Sequence, residues 1–419
     1  MPTLKHLMIG CGSAALSALK AMRAQGSKDE VTLVTMEPHS PYSPMSLPYL
    51  IEGKKKTIHL TRPDFFTEMD ATLISEKRVV AIHTEVKMLS FSDGSSENYD
   101  RLLIATGSEP IRQPVLEAAD VPVFHVMDDC RPIQALKKGS RVTILGAGFV
   151  GMELAAALTG AGHQVEVVAP RERILRPYFD PSLDAYIIDL FKENSIPVHL
   201  NWGEATEVSR LNGGFEASFE GGMKITPDLL IAATGVRPRT AFLEESRIDV
   251  KRGIRVDQTM RTNIPDVYAA GDVAETQNRL TGKYGLSLIL PSAVEQGKVA
   301  GKNMVGGDAI YEGWISMNAF NFFGHMAVSL GEFMGRVDDK ILVERNPEAR
   351  EYKKLVFREG RLIGANFFNV RVDSGVIRHL ILKRADLTGN EDLLLKKPFE
   401  TGLWLMQEVE RSESKSLER

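Results

Sequence analysis

A chain of 419 residues is too long for one compact core and implies two or three domains. Its 43% hydrophobic and 25% charged content are those of an ordinary globular protein, and a net charge of −4 excludes the basic footprint of a nucleic-acid binder. Two cysteines, Cys11 and Cys130, make no CxxC pair and no zinc or iron–sulfur spacing, so no metal centre, no cluster of its own and no redox disulfide are expected. The cytoplasm is then the default compartment. No apolar run reaches about 18 residues without charge, so no membrane span is expected.

Leu7-Met8-Ile9 reads as a buried strand running through Gly10-Cys11-Gly12 into a helical pattern from Ser13. The stretch Leu7 to Met22 is apolar enough for a signal-peptide core. Its glycines keep strand-to-helix spacing and no processing site follows, so it reads as structure. Val31-Thr32-Leu33-Val34 is a second strand, with Glu37 at its end. Leu102-Leu103-Ile104 is a third, ending in Ala105-Thr106-Gly107 before the break Ser108-Glu109-Pro110.

The plan then repeats. Val142 to Leu145 enters Gly146-Ala147-Gly148-Phe149-Val150-Gly151, Val165 to Val168 follows, and Leu229 to Ala232 ends in Ala233-Thr234-Gly235 before Val236-Arg237-Pro238. Strand, glycine turn, helix, strand is the unit that opens a doubly wound fold. From about Tyr311 the fingerprint is absent. Alternation in Lys354–Phe357 and Leu362–Ala365 points to a small antiparallel sheet with helices, and the aromatics Trp314, Phe320, Phe322 and Phe323 are expected to be core. The charged, Ser-rich tail Gln407 to Arg419 reads as a solvated end.

In such a turn the first glycine permits the bend and the second lets a pyrophosphate approach the backbone. The third small residue lets helix and strand pack, while the helix N-terminus offers unpaired N–H groups and a partial positive charge. Gly10, Gly12 and Ala15 fill these places first, with Ser13 and Ala14 at the helix start; Gly146, Gly148 and Gly151 fill them second, with Phe149 and Val150. One such turn is weak evidence. Two, each with a second strand and a Thr-Gly strand end, are hard to attribute to packing alone.

A carboxylate for a ribose hydroxyl belongs about 20 positions on. Glu37, 22 positions after Ala15, fits. In the second unit the place, 18 positions after Gly151, is Ala169, followed by Arg171 and Arg173. Those arginines suit a 2′-phosphate or plain surface, so NAD and NADP both stay open.

These motifs resemble the FAD/NAD(P) oxidoreductases of the pyridine nucleotide–disulfide reductase superfamily, over roughly residues 1 to 305. Within it the chain is similar to the group of rubredoxin reductases, NADH oxidases and nitrite reductase flavin modules. The most telling segment is Gly253-Ile254-Arg255-Val256-Asp257, then Met260 to Asp272 ending in Ala270-Gly271-Asp272. The opening and Pro41 to Tyr49 are similar to the flavin subunits of multisubunit 2-oxoacid:NAD oxidoreductases of the phenylglyoxylate dehydrogenase type.

The resemblance implies an α/β fold: two Rossmann-like FAD/NAD(P)-binding domains plus a small α+β C-terminal domain. The FAD-binding domain would span 1–110 and 237–308, the NAD(P)-binding domain 111–236, and the C-terminal interface domain 309–419. It implies FAD on Gly10, Gly12, Ser13, Ala14, Ala15, Glu37, Val79, Ala105, Thr106, Gly107, Gly271, Asp272 and Ala293. Asp272 would bind the ribityl chain, and the helix start Pro291 to Gly297 would face the flavin's pyrimidine edge. It implies NAD(P) on Gly146, Gly148, Phe149, Val150, Gly151, Arg171 and Gly235, with Glu153 near the nicotinamide as the catalytic candidate and NAD the indicated cofactor.

Met45-Ser46 precede Leu47-Pro48-Tyr49 where coenzyme A disulfide reductases carry a cysteine, so thiol chemistry is not expected. Electrons on the flavin must then leave to something external. The expected function is electron relay between nicotinamide and an iron–sulfur protein or subunit, as the flavin subunit of a 2-oxoacid dehydrogenase complex. A free-standing NAD(P)H oxidase or reductase, acting on oxygen, rubredoxin or a small acceptor, is a second reading, and a flavin-bound sensor a third.

Overall fold

The computed structural model describes residues 3–417, with side chains through Arg411. The tail expected to be a solvated end therefore falls largely outside the described side chains. The chain divides into two compact units, each assembled from separated segments.

The first unit comprises Met1–Ile111, His125–Gln134 and Gly235–Trp314. Its centre is a five-stranded sheet ordered Val267–Ala269, Arg101–Ile104, Lys5–Ile9, Glu30–Val34, Thr72–Ile74, with every neighbouring pair parallel. Strands in a parallel sheet are covered on both faces, so their residues read as unbroken apolar runs. Leu7, Met8, Leu33, Leu102, Leu103 and Ile104 are accordingly fully buried. The helix Ser13–Ala24 lies against the helix Leu290–Met304. Their approach requires small residues: a Cβ on Gly297 would stand 2.1 Å from the Ala14 carbonyl oxygen, and one on Gly301 2.3 Å from that of Ala18.

The second unit comprises Arg112–Phe124, Ala135–Thr234 and Ile315–Arg419. It holds a four-stranded parallel sheet ordered Val198–His199, Gln164–Val168, Arg141–Leu145, Leu229–Ala232. It also holds a five-stranded antiparallel sheet ordered Met317–Phe322, His325–Gly331, Arg361–Phe368, Glu351–Arg358, Lys340–Asn346. The aromatics of its first strand are core: Phe320 packs on Phe179 at 5.1 Å between ring centres and Phe322 on Phe191 at 5.1 Å. A buried ion pair joins this sheet to the loop after Gln164–Val168, with Lys354 Nζ 2.6 Å from Asp180. The Asp180 N–H donates to Asn366 Oδ1 at 2.8 Å, so both partners of the loop contact are satisfied away from water. Among the described residues no helix is long and apolar enough to cross a membrane.

Candidate functional site

In the first unit a cavity of about 600 Å³ opens at the carboxyl ends of four of the five parallel strands. That is where open α/β sheets place their ligands. Its floor is the Gly10 turn. Gly10 has φ +104°, and a Cβ there would stand 2.3 Å from the carbonyl oxygen of Ala105, at the end of the neighbouring strand. Only glycine fits, which explains why the Ala-Thr-Gly strand end accompanies the turn. Gly12 is different: its φ is −75°, and a Cβ would meet nothing within 4 Å. It begins a helix that has no side-chain cap and no acidic residue in its first turn. The helix end is therefore left open for an anion.

Gly10, Gly12, Ser13, Ala14, Glu37, Val79, Ala105, Thr106, Gly107, Gly271, Asp272 and Ala293 all line this cavity. Ala15 does not; it is fully buried behind the turn, at the packing position. Glu37 accepts a 2.6 Å hydrogen bond from the Tyr42 hydroxyl, which itself accepts from the Met127 N–H at 3.0 Å. Burial and the adjacent carboxylate push the Tyr42 phenol well above its usual range, so it remains a donor. Glu37 Oε1 keeps no protein partner among the described residues and is available to a ribose hydroxyl. Asp272 accepts from the Ser108 hydroxyl at 3.0 Å, and its burial raises its pKa. The Gly271 N–H donates to the fully buried Gln296 at 2.8 Å, which fixes the strand end beside Ser13–Ala24. An open helix end, a ribose-reaching carboxylate and a second acid deeper in one cavity suit FAD.

Replacing Tyr42 with Phe deletes the donor that orients Glu37. FAD should bind about 2- to 10-fold more weakly, the cost of one typical net hydrogen bond of about 0.5–1.5 kcal/mol. Isothermal titration of the FAD-stripped protein measures this, and unchanged affinity would show that Glu37 needs no such support.

Residues not expected from sequence also line the cavity. Arg239 is the most consequential, its guanidinium donating to the Ser108 carbonyl at 3.3 Å and lying 3.8 Å from Glu109. His125, with Nε2 3.0 Å from that same carbonyl, is another. A basic residue after the break Val236-Arg237-Pro238 was the one signal in the chain for the first. Cys11 lines the cavity and Cys130 is buried; both are free, and burial pushes their thiols up, Cys130 to about 11.

The second unit repeats the turn. Gly146 has φ +123°, and its Cβ would stand 2.3 Å from the Ala233 carbonyl oxygen, the same approach as in the first unit. Gly148 again faces open space, at the start of the uncapped helix Phe149–Gly160. Gly151, unlike Ala15, admits no methyl: its Cβ would lie 2.0 Å from the Gly146 carbonyl oxygen. The Phe149 ring turns onto Tyr178, centres 4.9 Å apart, while Val150 stays exposed. This turn suits a second dinucleotide.

Ala169 is buried, with its backbone tied to His199 and Trp202. Arg173 is committed to Asp184 at 2.7 Å and to the Phe179 carbonyl at 3.0 Å. Of the two arginines considered for a 2′-phosphate, Arg171 is exposed and its side chain has no partner among the described residues. Gly235, with φ +103°, belongs to the first unit, where its carbonyl accepts from the Ile111 N–H.

Glu153, in the Phe149–Gly160 helix, is partly buried, and that burial pushes its pKa up to about 7. A carboxyl with a raised folded-state pKa contributes stability below its unfolded value, and the contribution is lost as pH rises through 7. The protein should therefore lose about 2–3 kcal/mol between pH 5 and 8 that Glu153→Gln does not lose. Urea midpoints of both proteins across that range give the comparison; parallel profiles would refute it.

A parallel sheet with an open, carboxylate-bearing cavity, and a second turn of the same build, are the marks of an oxidoreductase that works with two dinucleotides. The chain belongs to the pyridine nucleotide-disulphide oxidoreductase family, whose sequence profile matches residues 4–297. It is a flavin enzyme that exchanges electrons with a pyridine nucleotide. It is 31% identical to the epsilon subunit of NADH-dependent phenylglyoxylate dehydrogenase from Aromatoleum evansii, over 97% of this chain and 98% of that one. It is 32% identical to an NADH oxidase of Methanocaldococcus jannaschii, over 73% and 71% of the two chains. In fold it matches putidaredoxin reductase from a covalent complex with putidaredoxin, with a TM-score of 0.85 over 95% and 98% of the chains at 21% identity.

Proposed function

We propose that the protein is the flavin subunit of an NAD-linked 2-oxoacid dehydrogenase complex, relaying electrons from an iron–sulfur partner to NAD in the cytoplasm. The likeness to the phenylglyoxylate dehydrogenase subunit over nearly the full length of both chains carries this reading. The absence of a cysteine at Met45-Ser46, of which Met45 lines the cavity, supports an acceptor outside the chain.

FAD exchanges electron pairs with nicotinamide and single electrons with a protein partner. The chain's own residues bind and orient. The N–H groups from Gly12 to Ala14 would hold the pyrophosphate, Glu37 the ribose and Asp272 the ribityl chain, and the start of the Leu290–Met304 helix would offer a positive end to the reduced flavin. In the second unit Gly148 to Val150 would hold the nicotinamide cofactor's pyrophosphate, Arg171 would serve its ribose, and Glu153 would hold a proton for the nicotinamide side of the site. The first unit serves as the FAD domain. Within the second, residues up to Thr234 serve as the nicotinamide domain and the antiparallel sheet with its helices as an interface domain.

The likeness to an NADH oxidase supports a second reading, a free-standing NAD(P)H oxidase or reductase. Untagged purification from the native source separates the two. Co-purifying iron–sulfur and thiamine-containing subunits support the complex, whereas a lone flavoprotein that rapidly reduces oxygen with NADH overturns it.

A further inference from the structure

Between the strands Glu30–Val34 and Thr72–Ile74 the chain leaves the sheet, and residues 41–60 close on themselves. Tyr42 bridges to His59, and the N–H groups of Ser43 and Leu60 donate to the carbonyls of Ile58 and Pro41 at 3.0 and 2.8 Å. The Lys55 N–H donates to the Tyr49 carbonyl at 3.2 Å, which pins a lysine run to the short helix Leu47–Ile51. The excursion has two sides. Pro41, Tyr42, Pro44 and Met45 line the first-unit cavity. Off the cavity, Tyr49 is 46% exposed and Leu60 39%, and Lys54, Lys55 and Lys56 are all exposed.

The segment's charge is opposite in sign to that of the whole chain. Residues 41–60 hold three lysines and one glutamate, in a protein of net charge −4. Lys54 pairs with Glu52, and the Lys55 ammonium lies 5.4 Å from the Tyr49 ring centre. Lys56 has no ion-pair partner among the described residues. A lysine run that only solvates a loop has no need of two exposed apolar side chains, Tyr49 and Leu60, in the same closed excursion. Apolar anchors within a positive rim are what a transient protein interface combines: buried area for affinity, charge for encounter and orientation.

We propose that this excursion is the docking surface for an acidic iron–sulfur electron carrier, which meets the protein over the wall of the flavin cavity. The inference rests on the reading of the chain as an electron relay. An acidic partner is disfavoured by the protein's overall negative charge and steered to its basic segment. Docked there, it stands against a segment whose own residues Pro41, Tyr42, Pro44 and Met45 line the cavity.

The test follows NAD reduction by the FAD-loaded protein with a chemically reduced acidic [4Fe–4S] ferredoxin as donor, and NADH-driven reduction of the neutral quinone menadione as a control. Charge reversal by Lys54→Glu, Lys55→Glu and Lys56→Glu together should raise the KM for ferredoxin about 10-fold or more and flatten its salt dependence. Menadione reduction should stay unchanged. Lys56→Glu alone, at a residue without a described partner, should give a smaller rise and keeps the test usable if the triple variant folds poorly. If reduced ferredoxin is oxidised by the wild type and its KM stays within about twofold in both variants, the relay stands and this surface is wrong. If the wild type reduces menadione with NADH but takes no electrons from reduced ferredoxin, the relay reading has failed and the docking surface with it. Retention on phosphatidylserine vesicles, with ferredoxin kinetics unaltered by charge reversal, would assign the lysines to a membrane and overturn the proposal.

Discussion

Gly12→Phe should yield a folded protein that has lost FAD. The backbone at Gly12 has φ −75°, which any residue adopts, and its Cβ would meet nothing within 4 Å. The local cost is a few tenths of a kcal/mol up to about 1 kcal/mol for changing an N-cap glycine. The space that receives the ring is the cavity at the open end of the Ser13–Ala24 helix. There it displaces a pyrophosphate from N–H groups, and hydrogen bonds to charged groups contribute about 1.5–3 kcal/mol each. Losing two of them weakens binding by more than about 100-fold. The readout is the FAD-to-protein ratio after gel filtration, with circular dichroism to confirm the fold. Full retention of FAD would show that the pyrophosphate does not sit at this turn. Gly10 cannot serve the same test. Its φ of +104° and the 2.3 Å approach to the Ala105 carbonyl oxygen would strain any side chain before a cofactor was involved.

The matching substitution in the second unit, Gly148→Phe, should leave FAD bound and abolish its reduction by nicotinamide. Gly148 is again the residue facing open space at an uncapped helix start, with φ −83°. A ring there blocks the second pyrophosphate while the first unit is untouched. The rate at which NADH bleaches the flavin absorbance under anaerobic conditions should fall more than about 100-fold at low NADH, by the same loss of charged hydrogen bonds. Loss of FAD instead would mean that the two sites have been exchanged. Together the two variants distinguish the turns, because each alters one ligand's approach and neither alters a packing contact of its own fold.

The positions that were legible along the chain are those whose constraint is local. Gly10 and Gly146 can only be glycine because a left-handed φ coincides with a 2.3 Å approach to a neighbouring strand, and that combination leaves a spacing readable in sequence. Glu37 was legible because a strand of known length sets where its next carboxylate falls. The strands themselves were legible because sheets covered on both faces demand unbroken apolar runs. The aromatics of Met317–Phe322 were readable as core for the same reason, large apolar area in an alternating strand.

What the chain could not reveal depends on residues far apart in it. Arg173 looked as free as Arg171 until Asp184 and the Phe179 carbonyl claimed it. Tyr42 became the support of Glu37 only when Met127, 85 residues away, came to its hydroxyl. Arg239 reached the cavity, and Gly235 joined the first unit, through folding that no periodicity records. By itself the sequence determined both glycine turns, the acid of the first, the missing acid of the second and the lack of a thiol pair. These depend on backbone conformation and residue type within a few positions. Only the tertiary structure decided which side chains are already committed and which still face open space, since hydrogen bonds and burial are settled by packing between distant segments.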